Sequence, residues 1–213
     1  MKLLIATNNR NKLKEIRAIL GKKFDEILSL SEVDLKVDIE ETGSTFFENA
    51  LIKAREAADL SGIAALADDS GLSVDALCGA PGVYSARFAG PAQRDEDNNK
   101  LLLKVLDKEN NRAARFISAI VLYFPAKLSD QAQKLCGRHL ALDGTGGGSY
   151  IYAQGEAQGE ILREMHGQNG FGYDPLFYSF DLEKTFAQAS ESEKNAVSHR
   201  AKALFALSQL LAK

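Results

Sequence analysis

The sequence contains very few cysteines. Its 213 residues include only two, Cys78 and Cys136, which are too few and too far apart for a disulfide framework or a thiolate zinc site. This scarcity is typical of a reducing compartment. We therefore expect a cytoplasmic protein.

Long apolar runs are also missing. The N-terminal strand-like run turns polar at Thr7, far short of the apolar core of a signal peptide. The apolar stretch 116–124 is too short to span a membrane and indicates a buried strand instead. The chain is expected to be soluble and to have no membrane partner.

Basic residues are not in excess. Lysine and arginine number 26 against 29 acidic residues, for a net charge of -3. Because binding to a nucleic-acid backbone needs a basic face, a nucleic-acid partner is the least favoured class.

A P-loop is excluded as well, since the GxxxxGK[ST] pattern is absent and no glycine precedes Gly21. Phosphate recognition must therefore be local.

Internal repeats and low-complexity linkers are absent, so residues 1–213 are interpreted as one domain. A strand (2–6), a polar loop and a helix with an apolar stripe open the chain in the manner of an α/β fold. Further strands are expected at 63–67, 72–77 and 116–124. We predict a central mixed sheet flanked by helices, in two lobes with a cleft between them.

Helix boundaries are indicated by capping patterns. Thr45 and Glu48 form a capping-box pattern before a stripe of small residues, whose opposite face carries Asn49, Lys53 and Glu56. Another helix is expected at 95–106. Residues 134–163 are predicted to form antiparallel strands, with a hairpin tip at 144–148 and a turn near 155–159. Two helices, opened by Thr185 and capped by Ser198, close the chain.

Two adjacent carboxylates are the first candidate for chemistry. Asp68 and Asp69 leave the apolar run 63–67 and are followed by Ser70 and Gly71. The pattern predicts a turn at a strand end, where paired carboxylates suit a hard metal ion or a general base. A solvated turn without function is the alternative.

A polar loop at the start of the first helix is the second candidate. Free backbone N–H groups and the positive end of the helix favour phosphate there. Its hydroxyl, amides and two cations fit a triphosphate: Thr7, Asn8, Asn9, Arg10, Asn11 and Lys12. A polar loop with an asparagine cap is the alternative. Glu41 lies just before the Thr45 cap, and acidic residues near a helix start are common because they favour the helix dipole. A structural role is therefore the alternative for Glu41.

Two later segments combine aromatic, glycine and cationic residues. The first segment is Phe171, Gly172, Tyr173 and Asp174, in which glycine lets the backbone approach a planar ligand. A tight turn with a core phenylalanine is the alternative. His199 and Arg200 lie in a first helical turn, where cations oppose the helix dipole. That conflict indicates a functional role. The alternative is a surface arginine and a hydrogen-bonded histidine without function.

Together these segments resemble the inosine/xanthosine triphosphate pyrophosphatase family. The matching stretches occur in the family's order and span nearly the whole chain: TNNRNKLKE, EETGSTFFENALIKA, LADDSGLSVDALCGAPGVYSARFAG, GFGYDPLF and EKNAVSHRAKAL. The segment 127–153 departs from the family pattern and is interpreted as an extended hairpin.

The resemblance implies an Mg²⁺-dependent enzyme that hydrolyses ITP, dITP and XTP to the monophosphate and pyrophosphate, cleansing the nucleotide pool. It also implies an elongated mixed sheet in two lobes and a homodimer. A metal-dependent phosphatase, another nucleotide hydrolase and a non-catalytic nucleotide sensor are the alternatives.

The resemblance also assigns roles to individual residues. Glu41 and Asp69 match metal ligands, with Asp69 as catalytic base. For Asp68, the setting of the acidic pair favours an auxiliary role, either as a ligand or as a residue that supports the ligands. The remaining matches contact the substrate: Thr7 to Lys12 its phosphates, Phe171 to Asp174 with His199 and Arg200 its base, and Ser70 and Lys194 the nucleotide.

Overall fold

The computed structural model describes residues 1–37 and 39–211 of the chain. Its helices and strands follow one another as β1 (Lys2–Ile5), α1 (Arg10–Leu20), β2 (Glu26–Ser29), α2 (Phe46–Ser61), β3 (Ala64–Val74), α3 (Asp95–Val105), β4 (Ala113–Phe124), α4 (Ser129–Cys136), β5 (Ala141–Leu142), β6 (Ser149–Ile161), β7 (Phe177–Ser179), β8 (Lys184–Thr185), α5 (Glu191–Val197) and α6 (His199–Gln209). Short 3-10 turns connect several of them. Within the described residues no helix is both long and apolar enough to cross a membrane.

The strands of the described residues form one sheet with the order β2-β1-β3-β4-β6-β7-β8, and β5 pairs with β6. β1 is parallel to both β2 and β3. β6 is antiparallel to β5 and β7, and β7 is antiparallel to β8. The sheet is therefore mixed, and the predicted α/β class with a central mixed sheet flanked by helices is confirmed.

The chain divides into two compact units. Unit 1 comprises Met1–Asp69, Ala119–Gln154 and the segment from Ala203 onward, and unit 2 comprises Ser70–Ser118 and Gly155–Lys202. The boundary in β3 falls at the peptide bond between Asp69 and Ser70. The acidic pair and the serine that follows it in sequence are thus assigned to different units.

Unit 1 has a core on each face of β3. Ala65 and Ala67 pack in one cluster with the small residues of α2, whereas Ala64 and Leu66 pack in another with α1 and α6. Successive side chains of a strand point to opposite faces. The same alternation directs the two following carboxylates, Asp68 and Asp69, towards different helices.

Unit 2 is built around buried aromatic rings. Phe116 lies 4.7 Å from Phe177 and 5.8 Å from Phe186, measured between ring centroids, and the latter two rings are 5.0 Å apart. Edge and offset arrangements at such distances add to the apolar burial of the rings. Leu72 and Leu102 complete this core from β3 and α3.

The predicted caps are confirmed where they are local. Thr45 and Glu48 form the reciprocal capping box of α2. Asn9 caps α1, with its side chain accepting from two backbone N–H groups. At the start of α6, Ser198 Oγ accepts from Ala201 N at 3.1 Å.

Several boundary predictions are wrong. β3 continues through Asp68 and Asp69, and β6 continues through 155–159, where turns were expected. No helix opens at Thr185, because this residue belongs to β8 and pairs with β7; the next helix begins at Glu191. The segment 127–153 contains α4 and the two-residue β5, so it is more than an extended hairpin.

Gly159 of β6 generates the first prediction. A Cβ at this position would lie 2.2 Å from the backbone oxygen of Tyr178 on β7. Overpacking of this kind typically costs about 1–3 kcal/mol, so Gly159→Ala should lower the free energy of unfolding by at least about that amount. Urea unfolding followed by circular dichroism measures the change.

The matched control is Gly144→Ala, because an added Cβ there meets no atom within 4 Å. This variant should unfold at nearly the wild-type urea concentration. If Gly159→Ala were equally stable, β6 and β7 could not approach each other as closely as described.

Candidate active site

Asp69 is a buried carboxylate in unit 1. Its side chain is only 9% exposed, and Oδ1 lies 3.1 Å from Lys53 Nζ while Oδ2 accepts from Asn49 Nδ2 at 3.3 Å. Burial raises the pKa of Asp69, although the positive charges of Lys53 and Lys12 oppose the rise. A carboxylate in such a place favours a nearby cation and can accept a proton.

Asp68 is oriented to the other face of β3. Its side chain is fully buried, and its Oδ2 lies 2.9 Å from Lys12 Nζ. The same ammonium also donates to the backbone oxygen of Asp68 at 3.3 Å. Each carboxylate of the pair is therefore balanced by a lysine from a different helix, because a buried charge is costly unless it is paired.

Lys53 of α2 connects the carboxylates of unit 1. Its Nζ lies 2.7 Å from Glu41 Oε1 and 3.1 Å from Asp69 Oδ1, and it donates to the Asp68 backbone oxygen at 3.2 Å. Burial lowers the pKa of Lys53, but the negative charges of Asp69 and Glu41 raise it and outweigh the effect of burial. The net shift of the pKa is therefore upward. Lys53 stays protonated at neutral pH.

Sequence reasoning missed Lys53 and Asn49 as site residues. Both were seen on the polar face of α2, four residues apart, and that i, i+4 spacing places them side by side. The spacing was the available signal. The spacing of Lys53 and Asn49 indicates a site only once the structure shows that β3 places Asp69 next to this face of α2.

The loop before α1 contributes to the same unit. Asn9 caps the helix, and Thr7 Oγ1 accepts from the Asn9 N–H at 3.1 Å, so the asparagine-cap alternative is correct as local structure. Asn8, Arg10 and Asn11 are exposed. The phosphate role of Thr7 to Lys12 stays a prediction, and the cap leaves these side chains at a helix N-terminus that favours anions.

We define the carboxylate–lysine cluster as Lys12, Glu41, Lys53, Asp68 and Asp69. Within the described residues no group of three His, Cys, Asp or Glu side chains forms a complete metal site. Two carboxylate oxygens of the cluster nevertheless converge on one cation position, occupied by an ammonium. Mg²⁺ is usually bound through one or two carboxylates together with water and substrate phosphates. The donor set fits such an ion.

Unit 2 carries a second polar cluster around Phe171. Its half-buried ring has Lys194 Nζ 4.8 Å and the Arg200 guanidinium 5.9 Å from the centroid. Cations at such distances are attracted to the negative face of the ring. We define Phe171, Asp174, Lys194 and Arg200, with Ser70, as the aromatic–cationic cluster.

Asp174 fixes the geometry of this cluster. It is 2% exposed, and its Oδ2 lies 2.6 Å from Lys194 Nζ and accepts from the Phe171 N–H at 2.9 Å. The neighbouring Tyr173 is a core residue whose hydroxyl donates to the Ser85 oxygen at 2.8 Å. Burial, helped by the charge of Asp95, raises the pKa of Tyr173. Its predicted contact with substrate stays a prediction.

His199 and Arg200 are both buried, so the surface-arginine alternative is wrong. Arg200 is 1% exposed, and its Nη2 donates to Ser70 Oγ at 3.0 Å. The His199 ring stacks on Phe116 with centroids 4.8 Å apart and an interplanar angle of 13°. The Arg200 guanidinium is thus buried between a hydrogen-bond acceptor and an aromatic ring of the same unit.

The structure is thus an α/β protein with a mixed sheet. Unit 1 carries the carboxylate–lysine cluster, and unit 2 carries the aromatic–cationic cluster. The model of the Ham1 family matches residues 3–210. The chain belongs to the Ham1 family, and the resemblance stated from the sequence is confirmed.

Curated relatives cover almost the entire chain. The chain is 47% identical over 204 residues to a dITP/XTP pyrophosphatase of an Exiguobacterium species, covering 96% of this chain and 93% of the relative. It is 44% identical over 212 residues to a protein of the same name from Haemophilus ducreyi, covering 99% and 98%.

Solved structures show the same fold. The Ham1 protein of Staphylococcus aureus matches with a TM-score of 0.80 and 38% identity, covering 98% of this chain and 97% of that one. The HAM1 protein of Coxiella burnetii matches with a TM-score of 0.81 and 37% identity, covering 99% and 98%. Both likenesses extend over the two units.

The ion pair of Lys12 and Asp68 gives a stability prediction. Lys12→Met leaves a fully buried carboxylate without this ammonium, and removal of one partner of a buried pair costs about 3–5 kcal/mol. The free energy of unfolding should fall by about that amount. Urea unfolding in the absence of nucleotide measures it.

The double variant Lys12→Met/Asp68→Asn removes both charges and should recover most of the loss. Lys22→Met, an exposed lysine after α1, serves as a control and should change stability by less than about 0.5 kcal/mol. A single variant Lys12→Met as stable as the wild type would show that Asp68 does not depend on this lysine.

Proposed function

We propose that this protein hydrolyses the non-standard purine nucleoside triphosphates dITP, ITP and XTP to the nucleoside monophosphate and pyrophosphate, and so removes them from the nucleotide pool. The main support is membership of the Ham1 family together with 47% identity to a dITP/XTP pyrophosphatase. The carboxylates and lysines that phosphoryl chemistry needs are present in unit 1.

Asp69 is the proposed catalytic base. It accepts a proton from the water that attacks the α-phosphorus, so that a new bond to phosphorus forms while the bond from the α-phosphorus to the bridging oxygen breaks and pyrophosphate leaves. Its pKa is raised by burial, which brings its basicity nearer to neutral pH. Lys12, Lys53 and the N-terminus of α1 hold the negative phosphates.

Glu41 and Asp69 are the residues that would hold Mg²⁺. The auxiliary role expected for Asp68 is not proposed again, because its buried carboxylate lies on the other face of β3 and pairs with Lys12. The ion, when bound, neutralises phosphate charge during the attack. In the structure Lys53 Nζ lies between the two carboxylates.

The aromatic–cationic cluster is the proposed base site. Phe171 offers a ring face for stacking, and Gly172, Tyr173 and Asp174 shape the backbone beside it. Donors from His199 and Arg200 suit the O6 acceptor of hypoxanthine or xanthine. An amino group at this position, as in ATP, would leave buried donors unpaired, and such a mismatch can give strong discrimination. Lys194 and Ser70 complete the contacts.

Two further properties are proposed, the first implied by the family resemblance and the second by the scarcity of cysteine. The protein is proposed to act as a homodimer. Its proposed location is the cytoplasm, in line with two cysteines that form no disulfide within the chain.

The activity is tested by a pyrophosphate-release panel of ITP, dITP, XTP, GTP and ATP, with Mg²⁺ or with EDTA. We expect hydrolysis of the hypoxanthine and xanthine nucleotides and loss of activity in EDTA. Asp69→Asn should lower kcat about 10²- to 10⁴-fold, because a positioned base contributes about that factor. Asp59→Asn, which alters an exposed carboxylate of α2, is the matched control.

The products separate the proposal from its alternatives. Orthophosphate and a diphosphate would identify a phosphatase, whereas tight ITP binding without multiple turnovers would identify a sensor. Equal rates on ITP and ATP would contradict the proposed base selectivity, and normal turnover of Asp69→Asn would contradict its role as base.

Phe171 gives an independent test of the base site. Stacking of a base on an aromatic ring contributes about 1–3 kcal/mol, so Phe171→Leu should raise KM for ITP about 5- to 150-fold. Steady-state kinetics measure this change. Phe180→Leu is the control, because this ring is 55% exposed and lies outside the cluster. An unchanged KM in Phe171→Leu would show that the ring does not contact the base.

A further inference from the structure

The first turns of α3 hold the peptide groups of Gly172 from both sides. The Gly172 N–H donates to Asp95 Oδ2 at 2.7 Å, and its carbonyl oxygen accepts from Asn99 Nδ2 at 2.9 Å. Asp95 and Asn99 are four residues apart, so they lie side by side on one face of the helix. α3 therefore clamps the one residue between Phe171 and Tyr173.

The stretch needs such a clamp because its backbone is permissive. Gly170 and Gly172 flank Phe171 and both have positive φ, +78° and +62°. Glycine adopts positive φ as readily as negative φ. The backbone on both sides of Phe171 could therefore change conformation and reorient the ring unless hydrogen bonds prevent it. Asp174 holds the Phe171 N–H on one side. The Gly172 clamp holds the other side.

Asn99 is unusual for a residue with a purely structural task. It is 3% exposed, and its Oδ1 has no hydrogen-bond partner within the described part of the chain. A buried acceptor without a partner is costly. The neighbouring Asn98 shows the satisfied arrangement, with Oδ1 accepting from Ala89 N and Nδ2 donating to the Ala86 oxygen. Asn99 gives up one bond while its other bond orients Gly172.

We propose that Asp95 and Asn99 are positioning residues that set the orientation of the Phe171 ring and thereby the selection of the base. The inference rests on the proposed function of Phe171 as a base-stacking residue. Neither side chain needs to touch the nucleotide. Both act through the backbone of Gly172.

The test uses Asp95→Ala, with Asp95→Asn as the milder variant that keeps an acceptor oxygen. A hydrogen bond to a charged group is among the stronger ones, so Asp95→Ala should raise KM for ITP roughly 10-fold and lower the ITP to ATP ratio of kcat/KM. Asp95→Asn should fall between Asp95→Ala and the wild type. Asn99→Ala should act in the same direction as Asp95→Ala.

Asp97→Asn is the matched control. Asp97 lies in the same helical turn, its side chain is 42% exposed, and it pairs with Arg94. It therefore tests the loss of a negative charge near the start of α3 without touching Gly172. KM and selectivity should stay at wild-type values in this variant.

A double-mutant cycle separates positioning from general stability. In a Phe171→Leu background, Asp95→Ala should add little to KM, because its effect passes through the ring that has been removed. An additive effect, or a lower kcat on all substrates at unchanged KM, would overturn the proposal. An unchanged KM in Phe171→Leu alone would instead overturn the proposed base site, so the two failures are distinguishable.

Discussion

The burial of two consecutive carboxylates in one strand is the constraint on which unit 1 depends. Asp68 and Asp69 are almost entirely removed from water, and neighbouring residues of a strand face opposite sides. Each side must therefore supply its own positive charge. Lys12 of α1 does so on one face and Lys53 of α2 on the other. The charges that compensate the buried carboxylates are also those that suit phosphate.

In unit 2 the buried charges are cations, and they too are paired with groups of the same unit. Arg200 and Lys194 are buried, and both are held beside the ring of Phe171. Asp174 balances Lys194 and also fixes the Phe171 backbone. The ring, its cations and its backbone are thus held by contacts within the unit. For the proposed base site, such pre-organisation favours binding because less freedom remains to be lost.

The sequence predicted the fold class and the helix caps, where the information is local, and it named the segments that carry the candidate site residues, whose roles stay predictions. The capping box of Thr45 and Glu48 and the cap at Ser198 needed only short-range spacing. The prediction failed at Asp68 and Asp69, because polar residues after an apolar run usually mark a turn. The ammonium that balances Asp68 comes from Lys12, 56 residues earlier in the chain. No periodicity spans that distance.

By itself the sequence determined the α/β class, the family and the segments that carry the candidate residues, because motifs and hydrophobic periodicity depend on residues that are close together in the sequence. Only the tertiary structure decided that β3 runs unbroken through the acidic pair, that Lys53 joins Glu41 to Asp69, and that α3 holds Gly172. These features arise from contacts between distant segments. Burial and charge pairing depend on such contacts, since a side chain's surroundings are set by the packing of the whole unit.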